Sequence, residues 1–278
     1  MASIEDFRIC VLAHLAKYKT DKLAINTDGA YNGKFYQHIL PAKFKNANIL
    51  EPYSSYLSTS KLLSKIQLNP TFSHLNSSQA MCVNFFYPLI ESNKLDLIMT
   101  ILGIGGKVDY DSLEFEKEIS VEKSNEKKTN FDFCLKTEDE KRIFFEIKYT
   151  EDGFFKAKND KAHINKYNRT YKAALDKSAW IGNNFKTMQS FFRHYQMMRN
   201  LLVIDDKSYV VFIYPKDNDV VRRAAEEAKK LIVNQAGKVH LINKTWDMLL
   251  EELLQTKALD KVLEQYYDIN FREKYLQY

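Results

Sequence analysis

The chain has 278 residues, of which 45% are hydrophobic and 28% charged, and its net charge is +5; such a chain can build a substantial core in one large domain or two. No apolar run reaches the ~20 residues that cross a bilayer, so membrane insertion is not expected and a cytoplasmic protein is. Cys10, Cys82 and Cys134 lie in apolar patterns without metal-ligand spacing, which excludes a cysteine zinc cluster and fits buried thiols in a reducing compartment.

Ile4 to Ala16 predicts an amphipathic helix, because Glu5, Asp6 and Arg8 interrupt its apolar residues. Tyr18 to Ser60 is the longest irregular zone, polar, aromatic and glycine-bearing, and reads as a surface loop, with a DNA-reading loop or dimer arm as the functional alternative. Asn76 to Tyr87 predicts a buried helix that Pro88 bends or ends, with Gln79 as the fourth residue of an Asn-x-x-Gln capping box. A second helical piece, Leu95 to Ile104, stops at Gly105-Gly106. In Leu113 to Val121 the acids fall on alternate positions, which predicts a strand with one wet face. A polar connection, 123–128, leads to a hairpin whose strands hold Phe131-Asp132-Phe133-Cys134-Leu135 and Ile143 to Tyr149, joined by the acidic turn Thr137 to Lys141.

Helices are expected near Lys166 to Lys177 and from Phe185 to Val203, then a continuously apolar strand, Tyr209 to Tyr214, suited to a buried position in a mixed sheet. Asp217 or Asp219 should cap a helix from Val220 to Asn234 that ends by Gly237. Val239 to Ile242 is the last expected strand, followed by helices near Trp246 to Leu254 and Leu259 to Tyr275. The fold class is α/β. Domain organisation divides into a helix and polar loop region (1–75), a core (76–243) and C-terminal helices packed on that core (244–278).

The hairpin carries the chemistry. Phe131, Phe133 and Leu135 alternate with Asp132, and Ile143, Phe145, Ile147 and Tyr149 alternate with Glu146 and Lys148, so the last two share one face. Charged groups inside apolar strands need a partner or a metal. An ordinary solvent-facing pair on a wet sheet face accounts for the same pattern; two carboxylates holding a magnesium ion beside a lysine that reaches a phosphate or a water is the functional account. No Gly-x-x-x-x-Gly-Lys-Ser/Thr loop is present, which argues against nucleotide-driven action, and the six histidines form no spaced pair.

The order of helix, three-stranded meander with Asp132 on its second strand and Glu146-Ile147-Lys148 on its third, helix and strand resembles the PD-(D/E)xK, or restriction-endonuclease-like, nuclease superfamily. The wording of Ser77 to Phe86, Phe131-Asp132-Phe133, Glu146 to Glu151 and Tyr195 to Asn200 is similar to a bacterial restriction-like subgroup, over about Asn76 to Ile242. Phe131 stands where the motif has proline. The resemblance implies a magnesium-dependent endodeoxyribonuclease of restriction or defence type, with manganese able to substitute. Asp132, Glu146 and the main-chain carbonyl of Ile147 would be the metal ligands and Lys148 the catalytic lysine. Gln79, Glu151 and Gln196 are additional candidates, and Gln196 and Arg199, about a turn apart, could reach a phosphate. A non-catalytic nucleic-acid-binding protein, or an RNA or structure-specific repair nuclease, would share the fold.

Charge points toward a polyanion. From Gly153 to Arg199 ten basic residues face two acids, and Lys156, Lys158, Lys161, Arg169, Lys172 and Arg199 are the expected contacts to double-stranded DNA. A homodimer is one assembly compatible with these residues, which do not fix the subunit number.

Overall fold

The computed structural model describes residues 4–119, 121–122 and 128–278; the expected polar connection lies mostly outside them. α1 (Ile4–Asp21) buries Phe7, Val11, Leu15 and Tyr18, a helical stripe four and three residues apart. Cys10 is on its outer face and exposed, contrary to the expectation of a buried thiol, while Cys82 and Cys134 are buried. The zone read as surface loop is partly core: β1 (Gly29–Tyr31) and β2 (Lys34–Tyr36) form a small hairpin, and Ile25, Ile39, Leu40, Ile49 and Leu50 are buried. Lys19, 2% exposed, ties the hairpin down through Asp28 (2.8 Å) and the Thr27 carbonyl (2.9 Å). α2 (Tyr56–Thr59) is a single turn.

α3 (Ser78–Glu91) is capped by Ser77, whose hydroxyl accepts from Ala80 N–H. This displaces the expected capping box and frees the Gln79 side chain. Pro88 lies inside the helix and does not end it. α4 (Leu95–Leu102) stops short of the glycine pair that was expected to end it, two residues before that pair at Gly103, whose φ of 69° a side chain would strain.

The meander forms as read. β3 (Val108–Ile119), β4 (Thr129–Thr137) and β5 (Arg142–Ile147) are antiparallel, and β6 (Ser208–Tyr214) and β7 (Leu241–Thr245) join in parallel to give a sheet of order β3-β4-β5-β6-β7. β7 begins later than expected, because 237–239 is a 3₁₀ turn. Buried on both faces, β6 explains its unbroken apolar run.

Between β5 and β6 lie α5 (Lys161–Lys166) and α6 (Lys172–Lys177), joined by a π turn, then α7 (Met188–Arg193) and α8 (Tyr195–Leu201). The single helix expected from Phe185 to Val203 is thus two. Thr187 caps the first, and His194, at φ −118° and ψ 35°, breaks the run. α9 (Asp219–Glu227) is capped by Asn218 and by neither aspartate considered from sequence. α10 (Trp246–Gln255), α11 (Lys261–Gln265) and α12 (Arg272–Tyr275) complete the chain, the last two continuous through a π turn.

Two apolar clusters cover the sheet. One draws on α1, α3, α4 and the C-terminal helices, packed on Phe133, Phe145 and Ile147. The other draws on α6 to α9, packed on Phe131, Phe144 and Phe212. The structure is therefore a mixed five-stranded sheet between helical layers, a restriction-endonuclease-like α/β fold with helical additions at both ends. No helix among the described residues is long and apolar enough to cross a membrane.

Candidate active site

Register sets the site. Across β3 and β4, Phe115 faces Phe133 and Lys117 faces Phe131, so Glu116 stands opposite Asp132. Pairing of β4 with β5 runs only as far as Phe133 and Phe145, so Asp132 and Glu146 face each other one step past the last pair. Glu116, Asp132 and Glu146 thus form a row across three neighbouring strands. There β4 departs from regular pairing: Ile147 N–H donates to the Asp132 carboxylate at 2.6 Å. The alternation expected in β4 also breaks, since Phe131 and Phe133 enter different clusters, whereas Ile143, Phe145, Ile147 and Tyr149 of the next strand share one, as their period requires.

Glu146 and Lys148 are 3% and 4% exposed, so the reading of a solvent-facing pair does not hold. Lys148 Nζ donates to Glu146 Oε1 at 2.7 Å. The same oxygen accepts from Gln196 Nε2 at 2.7 Å, and Oε2 accepts from Asn200 Nδ2 at 3.0 Å. Gln196 and Asn200, four residues apart on α8, thereby hold one carboxylate from one helix face. From β3, Glu116 accepts from Gln79 Nε2 at 2.7 Å and from Asn130. Its φ is 55°, a left-handed backbone rare outside glycine and often kept at functional sites.

Electrostatics follow from the row. Burial lifts the Asp132 carboxyl well above the usual range; Glu146 and Glu116 lift it further, and Lys148 and Ile147 N–H only partly offset them. Burial and Glu146 also raise Glu116, against the hydrogen bonds from Gln79 and Asn130. Burial opposes the charge of Lys148, but Glu146, Glu151 and Asp132 outweigh it and raise its pKa, so the side chain is an ammonium.

These side chains open into a cleft of about 700 Å³, also lined by Glu151, Phe155, Lys156, His163, Lys166 and Arg199. Of the residues expected from sequence, Asp132, Glu146, Ile147, Lys148, Glu151, Gln196, Lys156 and Arg199 meet at this cleft. Gln79 reaches it through Glu116. Lys158, Lys161, Arg169 and Lys172 are exposed and outside its lining. Arg199 is bound internally: its guanidinium donates to the buried Glu122 carboxylate at 2.8 Å and lies 5.2 Å from the Tyr195 ring. Sequence reasoning missed Glu116 and Asn200. Asn200 had a signal, its spacing of four from Gln196; Glu116 was hidden among the alternating acids of β3.

The family described as Restriction Endonuclease associating with ARP (REase-ARP) matches residues 12–276. The chain belongs to this family. Its match takes in the second part of α1 and all of α10 to α12, well beyond the 76–242 span of the sequence resemblance, so helical additions on both sides of the core fall within the family match. Neither a curated protein nor a solved structure matches the chain.

Proposed function

We propose that the protein is a divalent-cation-dependent endodeoxyribonuclease of restriction or defence type, hydrolysing phosphodiester bonds in DNA. The observation that carries this reading is the row Glu116, Asp132, Glu146 with Lys148 beside it in one cleft. Like charges gathered in a buried site destabilise the fold unless something uses them.

Among the described residues no three His, Cys, Asp or Glu side chains already close on one point. The fit is one of donor chemistry: carboxylate oxygens of Asp132 and Glu146 and the Ile147 carbonyl are hard ligands, the kind Mg²⁺ and Mn²⁺ take. Glu116 adds a third carboxylate. A cation held there supplies Lewis-acid polarisation of a phosphate oxygen and a more acidic bound water.

The chain's own residues supply the rest. Lys148, held against Glu146, orients or deprotonates the attacking water and offsets negative charge on the pentacovalent phosphorus. Gln196 and Asn200 fix the carboxylate that Lys148 leans on. Exposed Lys156, Lys158, Lys161, Arg169 and Lys172 follow the motif and attract the polyanion. Supercoiled plasmid incubated with Mg²⁺, with Mn²⁺ and with chelator tests the reading. Relaxed, linear or discretely cut DNA in both metals and none with chelator is the expected result; intact plasmid in every lane contradicts it.

A further inference from the structure

We propose that Phe155 is a stacking platform for an unpaired nucleobase next to the scissile phosphate. This rests on the nuclease reading and adds a substrate class to it: strands with a single-stranded or locally opened base at the point of cleavage.

Phe154 and Phe155 follow each other just after the motif and go opposite ways. Phe154 is 9% exposed, its ring 4.9 Å from that of Phe212, and fills the core. Phe155 is 65% exposed and lines the cleft. A lone exposed ring is ordinary on a protein surface. One mounted as this one is differs: Phe155 N–H donates to Gln196 Oε1 at 3.2 Å, and its carbonyl accepts Gln196 N–H at 3.0 Å. Two residues on, Ala157 N–H donates to the Phe192 carbonyl at 3.0 Å. The main chain under the ring is therefore fastened to α7 and α8, and by the same Gln196 that holds Glu146 at 2.7 Å. The main chain that carries the ring and the Glu146 carboxylate thus share a support in Gln196.

The surroundings define the occupant. Lys148 Nζ lies 5.9 Å from the Phe155 ring centroid, and Lys156, His163 and Lys166 line the same cleft. An exposed aromatic beside lysines is how proteins grip single-stranded nucleic acid: the lysines track phosphates, and the ring stacks on whichever base is presented. A base inside an intact duplex has both faces covered by its neighbours, so the ring can meet only one that is unpaired or extruded.

The test is fluorescence anisotropy of a labelled single-stranded oligodeoxynucleotide, and of its duplex, in calcium, with wild type, Phe155→Ala and Phe155→Trp. Met248→Ala, at an exposed position on α10, is the control. Phe155→Ala should bind the single strand roughly tenfold or more weaker than wild type, with its melting temperature unchanged. Phe155→Trp should bind as wild type does, with its added indole emission quenched on binding. If Phe155→Ala binds equally well and the indole of Phe155→Trp is unaffected, the platform is wrong while the nuclease reading stands. Wild type that binds duplex alone overturns the unpaired-base assignment. Wild type that binds neither form and cuts no plasmid overturns both readings.

Discussion

Both oxygens of Glu146 are taken, by Lys148 and Gln196 on one side and Asn200 on the other, yet a carboxylate has four lone-pair sites and keeps capacity for a cation. Lys148 has the opposite character, since an ammonium can donate but never ligate. Lys148→Ala should therefore leave divalent-cation binding in place, read by calorimetry with Ca²⁺, while single-turnover cleavage falls by roughly a hundredfold or more. Lost calorimetric binding with unchanged cleavage would reverse the assigned roles. Asp132, Glu146 and Lys148 were legible in the sequence because charge inside apolar strands is costly and draws the eye. Glu116 was not. Glu114, Glu116 and Glu118 share one period, and what singles out the middle one is Asp132 standing opposite and a left-handed backbone, neither of which a period contains. The capping role read for Gln79 fails for a related reason: Ser77 takes the cap, and the glutamine reaches Glu116, 37 residues away.

At the scale of elements, the break at His194 is what brings α8 to the site. An apolar period from Phe185 to Val203 predicts one helix, but the Thr187 cap and the bond from Gln196 N–H to the Phe155 carbonyl are tertiary choices that override local propensity. α8 then carries Gln196 and Asn200 to Glu146 and Arg199 to Glu122. Residues that orient a metal-site ligand from behind are commonly worth ten- to hundredfold in metal affinity or activity, so Gln196→Ala should lose about that much in Ca²⁺ affinity and in cleavage rate. Wild-type values in both assays would make the contact incidental. The Arg199 pair belongs to folding. Burial opposes the Glu122 charge, but hydrogen bonds from Thr129 and Tyr171 and the Arg199 guanidinium outweigh it and lower its pKa. Its folded pKa lies below the unfolded value of about 4.3. The stabilisation is therefore complete above the ordinary carboxylate range and is lost as pH falls through the folded value. Glu122→Gln, which removes the charge that the Arg199 guanidinium pairs with, should lower the melting temperature at pH 7, and the gap to wild type should close as pH falls through the folded Glu122 pKa. A gap that is constant with pH would contradict this.

Over the whole molecule, the sheet is legible as far as period 2 runs, and the terminal additions are not, because their contacts join distant parts of the chain. Trp246 Nε1 donates to the Lys148 carbonyl at 3.2 Å and Tyr149 donates to the Tyr275 carbonyl at 3.1 Å, so α10 and α12 brace the strand that bears the motif. The irregular zone before α3 likewise became core through Ile39, Leu40, Ile49 and Leu50, apolar residues too sparse to show a period. Outside the cleft, Lys158 and Lys161 are exposed on the segment that follows the motif. As phosphate contacts, each should weaken DNA binding equally across sequences when changed to alanine, and flatten the log-affinity against log-salt slope by about one. Unchanged slopes in both variants would make them solvated surface and move the DNA path elsewhere. The central claim is that the acid row is a cation-dependent cleavage site. Its most direct test is plasmid cleavage in Mg²⁺ by wild type, Asp132→Ala and Glu146→Ala, each checked for an intact thermal transition. The account predicts cutting by wild type and a loss of at least roughly a hundredfold in both variants; undiminished magnesium-dependent cutting by either folded variant would contradict it.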